Sequence, residues 1–228
     1  MLASVQIADL GPRRALALLV KGSAALDATG GLRNAEIGLA APLSASLVAK
    51  PQPGRLVLVT MWNDEAALDD FVACSPIARV MADGWSARLQ PLRAWGAWPG
   101  VPDDLPTTRN VESNGPVGVL TMGRLRVRRA LPFVRASAKA EGRVLEAPGC
   151  IWATGVARPP FVSTFSLWES ADAARAYAFT AGAHNDAIAQ GRARPFHKRE
   201  VFVRFRPYAV TGHLDGRNPL AAATVAAL

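Results

Sequence analysis

The sequence predicts an α+β fold made of two βαββαβ units in tandem. The 228-residue chain has the length of two domains of about 100 residues each. Half of its residues are hydrophobic and only 19% are charged, which allows a sizeable core. Short segments recur in the same order in the two halves, and each half shows the same sequence of strand-like and helix-like patterns. The chain is therefore expected to contain two copies of one unit.

Four short segments recur along the chain. They are an Arg-Arg-Ala-Leu motif, a Gly-x-Ala-x-Pro turn, a Trp followed by a polar helix start, and a Pro-to-Gly segment six residues long. A single match would be coincidental, but four in one order indicate a duplication. The pairs are residues 13–16 and 128–131, 38–42 and 155–159, 61–63 and 167–169, and 91–96 and 207–212.

The elements of the first half are predicted from β-branched runs and helix signals. Pro12 suits the first turn of a helix, Leu56 to Trp62 is rich in strand formers, and Asn63 is a good N-cap. The predicted order is strand 4–7, helix 12–26, strand 32–39, strand 56–62, a helix beginning at 63 and strand 87–96.

The second half repeats this order, with Ser170 as the N-cap of its second helix. Its predicted elements are strand 117–122, helix 127–140, strand 151–156, strand 161–168, a helix beginning at 170 and strand 200–212. Two such ferredoxin-like units can close their bare sheet faces on each other, as an intramolecular dimeric α+β barrel. The predicted divisions are a first repeat 1–98, a linker 99–115, a second repeat 116–214 and an Ala-rich tail 215–228.

Charge and cysteine content limit the partners and the compartment. The net charge is +8, but no zinc finger, basic zipper or RNA-binding aromatic motif accompanies it, so no nucleic-acid partner is predicted. A basic face would also suit an acidic redox partner. Two cysteines imply no disulfide framework and favour the cytoplasm. No apolar run is long enough to span a bilayer, and the first residues do not read as a signal peptide.

A comparison of the two halves singles out one histidine. When the halves are aligned on Trp62 and Trp168, His184 falls opposite Ala78. Tyr177, Ala181, His184 and Ile188 share one helical stripe, at i, i+4, i+7 and i+11. A histidine with small neighbours on an apolar stripe leaves room for a large flat group. The residues alone slightly favour the other interpretation, a core histidine bonded to a backbone carbonyl.

Other sites receive weaker support from the residues. His184 and Asp186 form an H-x-D pattern, but on a helix residues i and i+2 point about 200° apart and cannot share a metal. Cys150 could be a haem thiolate, although a free cysteine is more often a small buried hydrophobe. His197 is expected at the surface, and His213 follows the last strand. No G-x-S-x-G motif is present, which argues against the nucleophile elbow of a serine hydrolase. No G-x-G-x-x-G motif is present either, which argues against a nucleotide cofactor.

Several motifs of the second half occur together. They are the Gly-x-Ala-x-Pro turn, Leu-Trp-x-Ser at 167–170, Ala-Gly-Ala-His-Asn-Asp-Ala-Ile at 181–188, Arg-Ala-Arg-Pro-Phe at 192–196 and Glu-Val-Phe-Val-Arg-Phe at 200–205. With them the chain resembles the spheroidene monooxygenase family over roughly residues 4–214, specifically in the second half and more loosely in the first. The resemblance implies a haem protein that oxidises a carotenoid methylene to a ketone with ferredoxin-type electron supply. The chain reads Arg194-Pro195-Phe196 where the family usually has Gly-Trp-Phe, which leaves the substrate open.

The resemblance assigns provisional roles. His184 would ligate the haem iron, and Arg204 would be the catalytic donor on the distal side if its side chain points into the barrel. Arg192 or Arg194 would pair with the haem propionates. The remaining expected cofactor contacts are Tyr177, Ala181, Ile188, Phe196 and Trp152, with Phe202 and Phe205 as further apolar walls.

These roles imply partners and leave alternatives open. The expected partners are an apolar small-molecule substrate, a ferredoxin-type donor and a peripheral contact with a membrane, and the chain is expected to be a monomer or a homo-oligomer. The alternatives are a non-catalytic haem-binding carrier or sensor, a haem lyase or dehydratase acting on a nitrogen substrate, and a cofactor-free monooxygenase or binding module.

Overall fold

The computed structural model describes residues 1–26, 29–43, 52–108, 113–141, 144–180 and 195–221. Strands and helices alternate along these residues, and a short 3₁₀ turn at Val127–Arg129 precedes the fourth helix. The helices are α1 (Pro12–Leu26), α2 (Glu65–Cys74), α3 (Pro76–Met81), α4 (Ala130–Glu141) and α5 (Ala171–Thr180). The strands are β1 (Leu2–Asp9), β2 (Leu32–Ala41), β3 (Arg55–Trp62), β4 (Trp85–Gly96), β5 (Val117–Leu125), β6 (Cys150–Arg158), β7 (Phe161–Trp168) and β8 (His197–Thr211).

The strands form one closed antiparallel barrel in the order β1-β3-β2-β6-β7-β5-β8-β4. Strands of the first half are consecutive as β4-β1-β3-β2, and those of the second half as β6-β7-β5-β8. The halves meet at two seams, β2 with β6 and β4 with β8. The predicted α+β class is confirmed, and each half supplies a four-stranded sheet with helices on its outer side.

The barrel interior is one apolar core shared by both halves. Side chains alternate between the interior and the outer face of each strand, so every second residue points inward. The buried interior set includes Val5, Val59, Leu89, Met122, Phe165 and Val203. On the outer face of the first half, Leu56, Leu58 and Trp62 pack with residues of α1 to α3. A separate outer cluster in the second half contains Val117, Trp168 and Ala174.

Both barrel ends are filled by chain outside the strands. Trp98 and Val101, which follow β4, belong to the interior core. Leu214 and Leu220, which follow β8, belong to the same core. Arg55, at the start of β3, donates hydrogen bonds to Asp9 and Asp215, with Nη2 2.7 Å from Asp9 Oδ2 and 2.6 Å from Asp215 Oδ1. Residues of the predicted linker and of the predicted tail therefore contribute to the folded barrel.

The two tryptophans used for the alignment have matching surroundings. Trp62 Nε1 donates to Thr60 Oγ1 at 2.7 Å, and Trp168 Nε1 donates to Ser166 Oγ at 2.8 Å. Trp62 lies against Phe71 with ring centroids 5.0 Å apart, and Trp168 lies against Tyr177 at 5.2 Å. Each tryptophan thus ends the third strand of its half, beside the second helix.

The Gly-x-Ala-x-Pro match is one residue out of register. Gly38 pairs with Val57, five residues before Trp62, whereas Gly155 pairs with Thr164, four residues before Trp168. This segment therefore gives no support to the duplication. The second helix of the first half begins at Glu65 with Asp64 as its N-cap, because the Asp64 side chain accepts from Ala67 N at 3.0 Å. The cap lies one residue after the predicted Asn63.

Candidate functional site

Strand alternation places Arg204 on the outer face of the second-half sheet. Val203 and Phe205, its neighbours on β8, belong to the interior core, so Arg204 and Phe202 point outward, to the side that carries the helices. Arg204 therefore does not point into the barrel, as its predicted catalytic role required. Phe205, predicted to line the pocket, belongs to the interior core instead. The side chain of Arg204 faces the region outside the barrel that is bounded by β5, β7, β8 and α5.

Arg204 lies in a concentration of positive charge. Arg93 is its cross-strand partner on β4, and Asp172 and Arg175 belong to α5. Burial lowers the pKa of Arg204, the charges of Arg93 and Arg175 lower it further, and Asp172 opposes them. Arg93 Nη2 also donates to the carbonyl of Thr107 at 3.1 Å. Such an arrangement favours a negatively charged group near Arg204.

The first half has an arginine at the matching position, with different neighbours. Leu89 pairs with Ala3 and Phe205 pairs with Gly118, each the second residue of its first strand, so Arg88 corresponds to Arg204. Arg88 is hydrogen-bonded to Glu65 and Asp69 of α2. Although burial lowers its pKa, these bonds outweigh burial and raise it.

The two carboxylates that neutralise Arg88 have no acidic counterparts in the second half. The offset between the tryptophans is 168 − 62 = 106 residues, which maps Glu65 onto Ala171 and Asp69 onto Arg175. In the first half this position thus faces two carboxylates of its helix, whereas in the second half it faces Arg175, which pairs with Asp172 at 3.0 Å.

The outer face of the second-half sheet is less covered than that of the first. Four residues of β5 and β7 are half-buried, and we call them the open face: Val119, Thr121, Val162 and Thr164. Val117 and Trp168 are paired with each other, as Leu2 and Trp62 are, so the counterparts are Ser4, Gln6, Leu56 and Leu58. All four counterparts are buried. These four positions are thus more exposed in the second half than their counterparts are in the first.

Three expected cofactor contacts lie in different places. Tyr177 is half-buried on α5, against Trp168, on the same side of the barrel wall as Arg204. Phe196 lies just before β8 and contacts Phe133 of α4, with centroids 6.1 Å apart. Trp152 instead lines a cleft of about 150 Å³ with Leu43, Arg55 and Leu145, and it packs against the interior core.

The other expected contacts, His184, Ala181, Ile188, Arg192 and Arg194, lie outside the described residues and remain predictions. The first-half counterpart of His184 can be described. Ala78, opposite His184 in the alignment, is 3% exposed and packs with Ile77 and Met81 of α3 in the outer layer against the sheet. The first-half position that corresponds to His184 therefore faces the sheet.

The other candidate ligands have ordinary environments. Burial raises the pKa of the Cys150 thiol to about 11, so it stays protonated at neutral pH and is a poor thiolate ligand. His197 Nδ1 lies 2.8 Å from Glu200 Oε2, and its ring packs edge-on against Phe133, so it is more enclosed than expected. His213 is exposed. Among the described residues, no three His, Cys, Asp or Glu side chains are grouped as a metal site.

Sequence reasoning missed Arg93 and Arg175. Arg175 could have been found by comparing the helices that follow the two tryptophans, because an acid at position 69 becomes a base at 175. Arg93 gave no signal, since its pairing with Arg204 depends on a register shift in β4 between Pro91 and Arg93.

Within the described part of the chain, no helix is long and apolar enough to cross a bilayer.

The chain is similar to three curated proteins named spheroidene monooxygenase. It is 33% identical to that of Rubrivivax gelatinosus over 175 residues, which is 74% of this chain and 66% of the relative. It is 30% identical to that of Rhodobacter capsulatus over 182 residues, 75% of each chain. For the Cereibacter sphaeroides protein the identity is 27%, over 74% of this chain and 54% of the relative. The match thus spans only about half to two thirds of the length of two of these relatives.

Solved structures share the fold at low identity. A crystal structure of aldoxime dehydratase superimposes with a TM-score of 0.54 and 10% identity, covering 92% of this chain and 81% of that one. A second, in complex with butyraldoxime, gives 0.53 and 9%. No protein-family model matches the chain. These likenesses support the barrel architecture.

Proposed function

Because the chain belongs to the spheroidene monooxygenase family, we propose that it is a haem-dependent monooxygenase that oxidises an apolar, carotenoid-like substrate. Haem would lie in the second half, between the open face and the helical layer of α5. The open face, half-buried where its first-half counterparts are buried, is the observation that carries this placement.

The proposal includes a duplication in which one copy kept the site. Two features of the barrel support it: the mirrored strand orders and the matched surroundings of Trp62 and Trp168. If the fold is duplicated, His184 would face the second-half sheet as Ala78 faces the first-half sheet, and this supports the proposal. His184 is therefore our proposed iron ligand. Histidine is a common axial ligand of haem proteins.

The residues of the open face fit a large flat apolar group. Val119 and Val162 present methyl groups, and Thr121 and Thr164 each combine a methyl with a short hydroxyl, so none of these four residues contributes a long side chain. In the first half the same layer is closed by Leu56 and Leu58, packed beneath the helices. The apolar lining would exclude water from the reacting group, which strengthens electrostatic interactions there.

Arg204 is the described residue best placed to act on the reaction. Its guanidinium is a charged donor with several N–H groups, beside the open face on β8. Burial, and after it the charges of Arg93 and Arg175, lower the pKa of Arg204. These positive charges would stabilise negative charge on a reacting oxygen or on a cofactor carboxylate. Arg192 and Arg194 are proposed to hold the propionates, and Tyr177, Ala181, Ile188 and Phe196 to line the cofactor.

Haem, when bound, would supply the oxidation of an unactivated C–H bond with oxygen and electrons. The protein would orient the substrate and exclude water. A ferredoxin-type donor is proposed as the electron source, because an acidic partner complements a chain with a net charge of +8. Trp152, which lines a cleft beside Arg55, is assigned no role at this site.

Turnover of spheroidene by the haem-loaded protein, with reductant and ¹⁸O₂, tests the proposal. We expect ¹⁸O in the product, and a kcat about 100-fold lower for Arg204→Gln, because a charged donor at the reacting centre is lost. Arg88→Gln is the matched control, since it changes the same position in the half without the site, and it should leave kcat unchanged. Dehydration of an oxime without oxygen or reductant, with no oxidation of spheroidene, would contradict the proposal.

A further inference from the structure

The Arg-Arg-Ala-Leu motif ends in an exposed leucine in both halves of the molecule. Its leucines, Leu16 on α1 and Leu131 on α4, are 62% and 60% exposed. Both lie near the start of the helix that follows the first strand of each half. A large apolar side chain exposed at the same place in two copies is unlike scattered surface apolar residues, which need no explanation.

Helix α1 is apolar on two faces. Ala15 and Leu26 are buried, and Leu18 and Leu19 pack partly against the same cluster. On the other side, Leu16, Ala17 and Val20 form an exposed stripe at i, i+1 and i+4, and Val20 is 71% exposed. A surface helix of a protein surrounded by water normally turns charged residues outward. The outer stripe therefore suits a non-aqueous contact.

The start of α4 repeats this arrangement. Val127, in the 3₁₀ turn, is 80% exposed, and Leu131 follows four residues later. Arg128 and Arg135 are exposed beside them. Apolar and basic side chains therefore alternate over this surface, as they do on helices that lie at a membrane interface.

Helices α1 and α4 hold corresponding places in the two halves. Helix α1 connects β1 to β2 and packs on β2 and β3. Helix α4 connects β5 to β6, and near its start Phe133 contacts Phe196 and His197, at the beginning of β8. We call the exposed residues Leu16, Val20, Val127 and Leu131, with their neighbouring arginines, the paired-helix surface.

The charge of the paired-helix surface has one sign. Helix α1 contains Arg13, Arg14 and Lys21 and no acidic residue. Residues 126–135 contain four arginines and likewise no acidic residue. Basic residues beside exposed leucine and valine complement a surface that is negatively charged outside and apolar beneath, which describes a bilayer with anionic lipid headgroups.

We propose that the paired-helix surface docks on an anionic lipid bilayer, with its arginines on the headgroups and its leucine and valine side chains among the upper acyl chains. The proposal rests in part on the proposed function, because an apolar polyene substrate dissolves in the bilayer and not in water. Docking would bring the protein to its substrate without a membrane-spanning segment.

Co-sedimentation of the full chain with vesicles tests the docking, in the absence of substrate. We expect binding to vesicles of phosphatidylcholine with 30% phosphatidylglycerol, weaker binding to phosphatidylcholine alone, and loss of binding at high salt. The Leu16→Glu, Leu131→Glu double variant should bind at least about ten-fold more weakly, because it replaces two inserting side chains by charges.

The matched control is the Val72→Glu, Val80→Glu double variant. Val72 and Val80 are exposed on α2 and α3, which pack on β3 and β1 and do not belong to the paired-helix surface, so this variant should bind like the wild type. Indifference of the wild type to anionic vesicles, or equal loss in both variants, would overturn the proposal. A wild-type dimer that Leu16→Glu dissociates, without vesicle binding, would assign the surface to a second copy.

The haem spectrum and the turnover of detergent-solubilised substrate are recorded on the same variants, which separates this proposal from the proposed function. If docking is correct, Leu16→Glu, Leu131→Glu keeps both and loses only the turnover of substrate embedded in vesicles. If the proposed function fails, the spectrum and the turnover fail in the wild type as well, whatever the vesicle binding.

Discussion

Glu36 is a carboxylate buried inside the barrel. It shares the interior side of β2 with Ala40 and is 4% exposed. Arg124 Nη2 and Arg158 Nη2 each lie 3.5 Å from one of its oxygens, which is long for a hydrogen bond. Burial raises the pKa of Glu36, and the attraction of the two arginines only partly offsets this. Its charge is therefore a cost to the fold.

Replacing Glu36 by Gln should remove a pH dependence of stability. Because the pKa of Glu36 is higher in the folded state, the folded state holds the proton more tightly than the unfolded state. The stability associated with that proton is present below the unfolded pKa and is lost as pH rises through the folded pKa. Glu36→Gln should match the wild type near pH 4 and gain on the order of 1 kcal/mol relative to it at pH 7.

Urea unfolding of the wild type and Glu36→Gln between pH 4 and pH 8 measures this difference in the free energy of unfolding. The arginines are partly exposed and can be hydrated when the carboxylate is removed. A variant that is clearly less stable than the wild type at pH 7 would show that the ion pairs outweigh the cost of burial. Nothing in the sequence marked Glu36, a single acid in a strand, because only the register assigns it to the interior.

At the scale of elements, most of the fold could be predicted from local patterns. Helix α1 has the predicted bounds, and the strands differ from prediction by a few residues at their ends. Helix α3 was not predicted separately, because the break at Ser75 interrupts an otherwise continuous helical pattern. The β-bulges were not predictable, because a register shift depends on the partner strand.

Two glycines occupy matching places at the β4–β8 seam. Gly96 ends β4 with a φ of +94°, and Gly212 follows β8 with a φ of +74°. A Cβ on Gly96 would lie 2.3 Å from the carbonyl oxygen of Glu200, and one on Gly212 would lie 1.8 Å from that of Gly84. Each therefore needs both the left-handed conformation and the missing side chain.

Gly96→Ala and Gly212→Ala should each destabilise the protein by at least about 3 kcal/mol, because the clash with backbone adds to the conformational strain. Gly216→Ala is the control. Its φ is +78°, but nothing lies within 4 Å of the position that an added methyl group would take, so it should cost only about 1 kcal/mol. Thermal unfolding of the three variants compares them, and equal costs would show that the seam tolerates a wider separation.

At the scale of the whole molecule, the two halves make one barrel with one shared interior, while their outer layers differ. The alignment of the halves singled out His184 as a candidate and Ala78 as its counterpart, and the resemblance indicated the family. Neither could reveal Arg93 or the outward direction of Arg204, because both depend on strand register. The open face could not be predicted either, since it depends on how closely helices pack on a sheet.

We propose that each chain binds one haem, held by His184 in the second half. Titration of the purified chain with haem, followed by the Soret band and by mass spectrometry, tests it most directly. We predict saturation at one haem per chain in the wild type, His197→Ala and His213→Ala, and loss of stoichiometric binding in a folded His184→Ala. Two haems per chain, or an unchanged Soret spectrum in His184→Ala, would contradict the account.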